Sequence, residues 1–418
     1  MKVLHINNSD TIGGAARACF NIHNALLSMG VDSNILVQTK SGKDNNVIPA
    51  GSGSLSKLYT VIRKGIDFSL ISLLTKKEYG RFSFPLLGSN ISKNPFAKEA
   101  DILHLHWINE GFFSLQTLRS LFKINKPVVW TLHDMWAFTG GCHYDNKCGN
   151  FKSRCGNCPA LKLKSDQDTS STIFARKIEL FNDAKINFVT CSKWLAGEAK
   201  SSTLLEKFDI TPIPNPINTE LYSPTDKSIS KQKLNLSIDK LHILFATMTL
   251  KEKRKGFHIL LDALKLLNEN YHLLKEKIEI IVMGAGDQSH FKEIPFKTIF
   301  TGRLNNDKEI VNCYNAADLF VAPSIQDNLP NTVMEALSCG VPTAAFNIGG
   351  MSDMIDHKLN GYLADEVSPV KLAEAINWLV EKLSATNNLR INAREKVLNN
   401  FTEKIVAQKY LELYKSIL

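Results

Sequence analysis

Short runs of Val, Ile and Leu alternate with longer amphipathic stretches along almost the whole chain. Bounded by Gly, Pro and Asn, the short runs read as strands and the stretches between them as helices. In the first half the pattern predicts strands over 2–7, 32–38, 101–105, 127–132 and 186–191, with a helix over 14–29 after a glycine turn. It then restarts, with strands over 242–248, 278–283, 297–302, 317–322 and 342–346 and helices over 256–268, 306–316 and 330–339. Beyond Val367 the chain reads as helical, closing with an amphipathic helix over 401–418. Apolar strands alternating with helices imply parallel sheets covered on both faces, so the expected class is α/β. Between the halves lies Ile213-Pro-Asn-Pro-Ile217 and then the polar stretch 223–240, which together favour an extended, turn-rich linker. At 418 residues the chain exceeds what one core usually fills. The expectation is two doubly wound domains, 1–215 and 216–400, followed by the helix 401–418.

Composition is ordinary for a globular protein, 44% apolar and 22% charged, so neither disorder nor a fibrous class is indicated. No apolar run approaches the roughly 20 residues that span a bilayer. Met1 leads directly into the first strand without a secretory signal, and a cytoplasmic protein is expected. Charge is lopsided: residues 1–215 hold 26 Lys and Arg against 17 Asp and Glu, while 216–418 hold 24 of each. Within the basic half, Ser56 to Lys98 interleaves Lys57, Arg63, Lys64, Lys76, Lys77 and Arg81 with Leu58, Tyr59, Ile62, Phe68, Ile71, Leu74 and Phe82. Such a segment suits an anionic membrane surface, or equally a core-packing helix with a solvated basic face. Nucleic acid is not an expected partner, because no recognised binding motif accompanies the charge.

Candidate chemistry gathers where strands end. Segment 323–340, PSIQDNLPNTVMEALSCG, runs from a strand into a polar turn and then a helix. That junction presents free backbone N–H groups, which attract phosphate or sugar oxygens. Two carboxylates, Asp327 and Glu335, flank the turn with seven residues between them. Glu335 falls inside the apolar run Val333-Met-Glu-Ala-Leu337, so it needs a partner, and a pair of ribose hydroxyls is an apt one. A solvated glutamate after an ordinary loop is the plain alternative.

The first strand ends in Ser9-Asp-Thr-Ile-Gly13-Gly14-Ala-Ala-Arg17. Its paired glycines allow close backbone approach to a ligand, or simply make a tight turn. The fingerprint G-x-G-x-x-G is absent, which argues against an NAD enzyme. At the restart, Lys251-Glu-Lys-Arg254-Lys255-Gly256-Phe257 follows a strand. These cations could grip a diphosphate and stabilise the charge it gains on leaving, or could be a solvated charge run. Two further strands end in histidines: His104 and His106 alternate onto one side, as a pair lining a cleft would, and His133 precedes Asp134, which could orient its ring. A lone histidine is more often structural.

Cys142, Cys148, Cys155 and Cys158 place four of the eight cysteines within 17 residues. Four thiolates satisfy tetrahedral zinc and a cytosolic compartment disfavours disulfides, yet the spacings differ from the paired C-x2-C of a zinc ribbon. Structural zinc, free or redox-active thiols, and disulfides all stay open.

Together these motifs resemble those of the retaining glycosyltransferases of family 4, of the kind that builds bacterial exopolysaccharide and O-antigen. The resemblance spans nearly the whole chain and is strongest over 244–365. It implies the GT-B fold: two Rossmann-like domains facing a central cleft, the first binding acceptor and the second nucleotide-sugar, with the last helix returning to the first domain. Asp327 and Glu335 match the family's paired acids, with Asp standing where the first is usually Glu. By resemblance, Glu335 holds the nucleotide ribose, while Asp327 and the backbone of Asn328, Leu329, Pro330 and Asn331 hold the sugar. Lys255-Gly256 matches the family's lysine–glycine motif, with Arg254 its companion by proximity, both set on the diphosphate. Gly13 and Gly14 match the glycine loop under that diphosphate, and His133 the histidine that hydrogen-bonds the donor sugar. Met283-Gly-Ala-Gly286, Thr301-Gly-Arg303-Leu304 and Gly349-Gly350 match a glycine turn, a nucleotide-facing loop and a further glycine turn. Similar cysteine-bearing loops follow the histidine in some such enzymes and would shape the acceptor site.

The implied activity is metal-independent, retaining transfer of a sugar from a nucleotide-diphosphate donor to a hydroxyl of a glycan. The acceptor would be a lipid-linked oligosaccharide at the inner face of the cell membrane, and no catalytic cofactor is expected. Two alternatives stand beside this: another GT-B chemistry such as a sugar-nucleotide epimerase, and a zinc-stabilised polyanion-binding or scaffold protein. The second leaves Arg254, Lys255, Asp327 and Glu335 unexplained.

Overall fold

The computed structural model describes residues 1–418 except Asp183, Leu250, Lys251, His272, Leu273, 286–290 and Asn305. Lys251 of the cation run and Gly286 of the glycine turn therefore lie outside the described residues. The chain divides into two compact units, Met1–Pro216 with Val406–Leu418, and Ile217–Ile405.

The N-terminal unit is built on seven strands: β1 (Lys2–Ser9), β2 (Asp32–Thr39), β3 (Val47–Pro49), β4 (Ile102–Leu105), β5 (Val128–Leu132), β6 (Ile186–Thr190) and β7 (Ile210–Pro212). They form one parallel sheet in the order β3-β2-β1-β4-β5-β6-β7. The two edge strands are the ones absent from the hydrophobic pattern. Each has three residues and ends in proline, which lacks the N–H a further strand would need. Helix Gly14–Ser28 turns Ala16, Cys19, Ile22, His23 and Leu26 inward at helical spacing.

In the C-terminal unit the strands are β8 (Leu241–Thr249), β9 (Ile278–Ala285), β10 (Lys297–Gly302), β11 (Leu319–Ala322), β12 (Thr343–Phe346) and β13 (Gly361–Ala364). Their order, β10-β9-β8-β11-β12-β13, is again parallel throughout. Both sheets follow the Rossmann arrangement, in which strand order reverses beside the first strand and ligands bind beyond the carboxyl ends there. That places the sites of interest after β1 and β4 in one unit, and after β8 and β11 in the other.

The last helix, Glu403–Ile417, buries Val406, Ala407, Tyr410 and Tyr414 against Val3, Ile22, Val129 and Val189 of the N-terminal unit. The hydroxyl of Tyr414 lies 2.7 Å from His104 Nδ1, and that of Tyr410 lies 3.0 Å from Thr131 Oγ1.

The basic, apolar segment forms the helix Gly53–Leu74, and its only buried residue is Asp67. Leu55, Leu58, Tyr59, Val61, Ile62, Ile66, Phe68 and Leu73 are exposed. Core packing is therefore confined to the last turn, where Leu70, Ile71 and Leu74 meet Phe82, itself buried and not part of the exposed face. Among the described residues no helix is long and apolar enough to cross a membrane.

Candidate active site

In the C-terminal unit two glycines decide how the loops after β8 and β12 meet the loop after β11. Gly256 has φ +71°, and a Cβ there would stand 1.8 Å from the carbonyl oxygen of Pro323. Gly349, at φ +54°, lies equally close to the carbonyl of Asp327. Only a residue without Cβ permits either approach. The Ile325 N–H then donates to the Arg254 carbonyl at 2.8 Å, tying loop to loop.

Within that frame Asp327 is buried, with Oδ2 2.6 Å from Lys255 Nζ and 3.2 Å from Ser324 Oγ, and Oδ1 3.2 Å from Arg254 Nη1. Burial alone would raise its pKa, but Lys255 and then Arg254 outweigh it and hold the carboxyl down at about 2. Arg254 is itself gripped by Glu252 Oε1, at 2.6 and 3.0 Å, and donates to the Gln326 carbonyl at 2.7 Å. Lys255 bonds only Asp327 among the described residues, so two of its three N–H donors stay available. The sequence assigned acid and cations to separate parts of a donor. Folding joins them in one ion-paired cluster.

Glu335 lies on the helix Asn331–Ser338, buried, and its Oε2 accepts from the Tyr314 hydroxyl at 2.8 Å. A phenol from the preceding helix, Asp307–Ala316, thus supplies a partner that the apolar run seemed to require from a ligand. Asn328, Leu329 and Pro330 are buried, and the Asn328 N–H donates to Asp327 Oδ1 at 3.2 Å. Pro330 opens the helix without a side-chain cap, and Asn331 is its first residue. Arg303 stands apart, exposed just beyond β10, with no bond to this cluster among the described residues.

In the N-terminal unit, Gly13 takes φ +92° at the start of the helix Gly14–Ser28, with Gly14 as its first residue. His133 follows β5, and its ring is held from both sides. Its Nε2 is 3.1 Å from His106 Nδ1, and its Nδ1 is 3.4 Å from the Cys191 thiol. His106 Nε2 continues to His5 Nδ1 at 3.0 Å. Burial lowers the pKa of all three rings, that of His133 to about 4, so the chain runs through neutral imidazoles. With the Cys191 thiol also directed at the Leu132 carbonyl, each ring donates from Nδ1 and accepts at Nε2, and the buried Nε2 of His5 ends the chain without a partner.

Two expectations are corrected here. Asp134 does not orient His133: its carboxylate accepts from His143 Nδ1 at 2.6 Å, Trp107 Nε1 at 2.9 Å and the Trp136 N–H at 2.9 Å. His104 and His106 do share a side of their strand, but both are buried, His104 between Tyr414 and Thr131, so neither lines an open cleft. Tyr314, Ser324, Glu252, His5 and Cys191 carry functional contacts that sequence reading missed. Ser324 and Glu252 lie inside segments already singled out, whereas Tyr314, His5 and Cys191 reach their partners only through long-range packing.

This arrangement defines the class: a GT-B protein with a cation–carboxylate cluster at the switch point of its second sheet. The profile described as Glycosyltransferase Family 4 matches residues 12–221, and that described as Glycosyl transferases group 1 matches 226–396. The chain belongs to glycosyltransferase family 4, and it is a glycosyltransferase. Among its relatives is WcaC of Escherichia coli K12, assigned to colanic acid biosynthesis, 21% identical over the full length of both chains. Another, from Campylobacter jejuni, is N,N'-diacetylbacillosaminyl-diphospho-undecaprenol alpha-1,3-N-acetylgalactosaminyltransferase, 28% identical over 48% of this chain and 53% of its own. The fold is shared with Anabaena HepE solved in complex with UDP, with a TM-score of 0.64 at 17% identity over the full length of both chains. It is shared too with WaaG, a glycosyltransferase involved in lipopolysaccharide biosynthesis, with a TM-score of 0.61 at 14% identity over 99% of each chain.

Proposed function

We propose that this enzyme transfers a sugar, with retention of anomeric configuration, from a nucleotide-diphosphate donor to a hydroxyl of a lipid-linked glycan in bacterial surface polysaccharide synthesis. The observation that carries the reading is the Asp327–Lys255–Arg254 cluster. It keeps a cation in place at the switch point with N–H donors to spare, as a departing diphosphate needs, which supports the reading that protein cations carry that role without a divalent ion. Glu335, fixed by Tyr314, takes the ribose hydroxyls. Asp327 and the 328–331 backbone take the sugar and Arg303 faces the nucleotide; within the N-terminal unit, His133 and the Gly13-Gly14 turn are the candidate donor-side residues.

The acceptor side draws on the relatives and on one cavity. Two relatives are named for acceptors carried on diphospho-undecaprenol, and HepE was solved with UDP-glucose. In the N-terminal unit a cavity of about 350 Å³ opens beside β2 and the helix Gly53–Leu74, lined by Gln38, Tyr59, Thr60, Arg63 and Asn90. One guanidinium among neutral polar groups suits a glycan diphosphate. The exposed apolar and basic side chains of the same helix suit an anionic membrane surface carrying such a lipid, the work being done at its cytoplasmic face.

Calorimetry with UDP, GDP and ADP and their sugar conjugates tests the donor assignment. One nucleotide should bind and raise the melting temperature of the wild type, and fail to do so in Lys255→Ala and Glu335→Ala. No response to any nucleotide from folded protein would overturn it. Product NMR decides retention: an inverted anomeric centre refutes it.

A further inference from the structure

We infer that Cys142, Cys148, Cys155 and Cys158 form a structural zinc site that pins the loop following His133. All four thiols are free of disulfides, and all four line one small cavity of about 10 Å³, together with Phe82 and Phe151. The cavity has room for a single atom and none for a substrate. One of the sulfurs is met by a backbone N–H, that of Gly140, which donates to Cys155 at 3.1 Å. An N–H aimed at sulfur is the kind of outer support that a metal-bound thiolate takes.

A second observation points the same way. Lys177 is fully buried beside this loop, with its Nζ on the carbonyls of Trp136 and Thr139 (3.0 Å for the latter) and no carboxylate bonded to it among the described residues. A buried ammonium needs a compensating negative charge. Zinc with four thiolates carries two negative charges and would supply it.

The sulfurs surround the cavity more widely than a bound ion would leave them. Among the described residues the one trio of His, Cys, Asp or Glu ligand atoms within 4.8 Å of one another is His5, Cys19 and His106, whose imidazoles instead hydrogen-bond. Zinc–sulfur bonds of about 2.3 Å would bring the four sulfurs to about 3.8 Å apart, within reach of side-chain rotation in a turn-rich loop. Asn146, Lys147, Gly149, Gly156 and Asn157 all have positive φ there, and the only regular element is the single turn Asn150–Lys152.

The site would have mechanical consequences on two sides. His143, next to Cys142, bonds Asp134 and Ser83, so the loop braces the segment that follows His133. After Cys158, Ala160 accepts from the Lys76 N–H and Lys162 donates its N–H to Leu74, clasping the end of the exposed helix.

The test is metal content of the full chain, expressed in zinc-supplemented medium and purified under reducing conditions. About one zinc per chain is expected, and cobalt substitution should give the visible absorption of a tetrahedral thiolate site. Cys148→Ser and Cys155→Ser with Cys158→Ser should drop the content at least tenfold, while Cys313→Ser, elsewhere in the fold, keeps it. Metal-free wild type after zinc reconstitution, disulfides within this set in the protein as isolated, or zinc that survives the cysteine changes but is lost in His5→Gln would each overturn the inference. The readout does not depend on donor binding, so it stands or falls apart from the proposed activity.

Discussion

In the N-terminal unit two chains of buried polar groups are neutral: His5, His106, His133 and the Cys191 thiol in one, His104 with Tyr414, Thr131 and Tyr410 in the other. In the C-terminal unit two clusters are ionic. Asp318, just before β11, meets Lys227 at 2.7 Å, Arg390 at 2.8 Å and Lys231 at 3.4 Å, and Asp327, just after β11, meets Lys255 and Arg254. Both aspartates are buried, and both are pulled below the usual carboxylate range against that burial, Asp318 by a hydrogen bond from His242 and then by its lysines, Asp327 by Lys255 and then Arg254. They differ in closure. The Asp318 cluster locks the helices Lys227–Lys233 and Asn388–Asn400 to the amino end of the sheet, whereas the Asp327 cluster stands where ligands bind and keeps donors in reserve. One strand carries an ion pair closed among protein groups at one end and one with donors in reserve at the other.

Breaking each cluster should separate those roles. Asp318→Asn leaves the buried Lys231 and the half-buried Lys227 and Arg390 short of their counter-charge and should destabilise the protein by about 2–4 kcal/mol, read by urea unfolding. Donor affinity of the molecules still folded should change little; a selective loss of donor binding would contradict the structural role. Lys255→Ala should act chiefly on function, lowering turnover by about 10²–10³-fold, with a smaller loss of stability because Arg254 still pairs Asp327. Comparable destabilisation in both variants would erase the distinction.

Smaller effects test the neutral chain. His106→Gln removes the link between His5 and His133 and should cost about 1–3 kcal/mol, with turnover falling as the His133 ring loses its orientation. If turnover holds, His133 is not positioned through His106.

The gentlest test is pH. His133 and His23 have folded pKa values of about 4 against an ordinary 6.5, both chiefly through burial. Between pH 6.5 and 4 the unfolded chain binds protons that the folded one refuses, so stability rises with pH across that window and is lost on acidification. Asp327, at about 2 in the fold, contributes stability above its unfolded value of 3.8 that disappears only as pH falls toward 2. Hydrogen exchange from pH 7 to 4.5 should therefore loosen the N-terminal unit first. Earlier loosening of the C-terminal unit would contradict the assignment of charge states.

Much of this was legible in the chain. Ten of the thirteen strands among the described residues were read from the pattern; the other three, β3, β7 and β13, are short edge strands whose pattern is too brief to register. Asp327, Lys255 and Glu335 were visible because strand–turn–helix junctions concentrate polar residues at fixed spacing. Invisible were the Tyr314–Glu335 bond, 21 residues apart, and the diversion of Asp134 from its neighbour His133 to Trp107, 27 residues away. Neither leaves a local signal.

The sequence by itself determined the two α/β halves, the break near Pro216 and the residue types at the strand ends, because period and turn chemistry act over a few neighbouring positions. Tertiary structure decided the partners. It set Lys255 on Asp327, the phenol of Tyr314 on Glu335, and His106 and Cys191 on His133, and it closed four scattered cysteines around one cavity. The physical reason is that a buried polar group takes its partner from whatever packing brings within about 3 Å, and packing is a property of the whole fold.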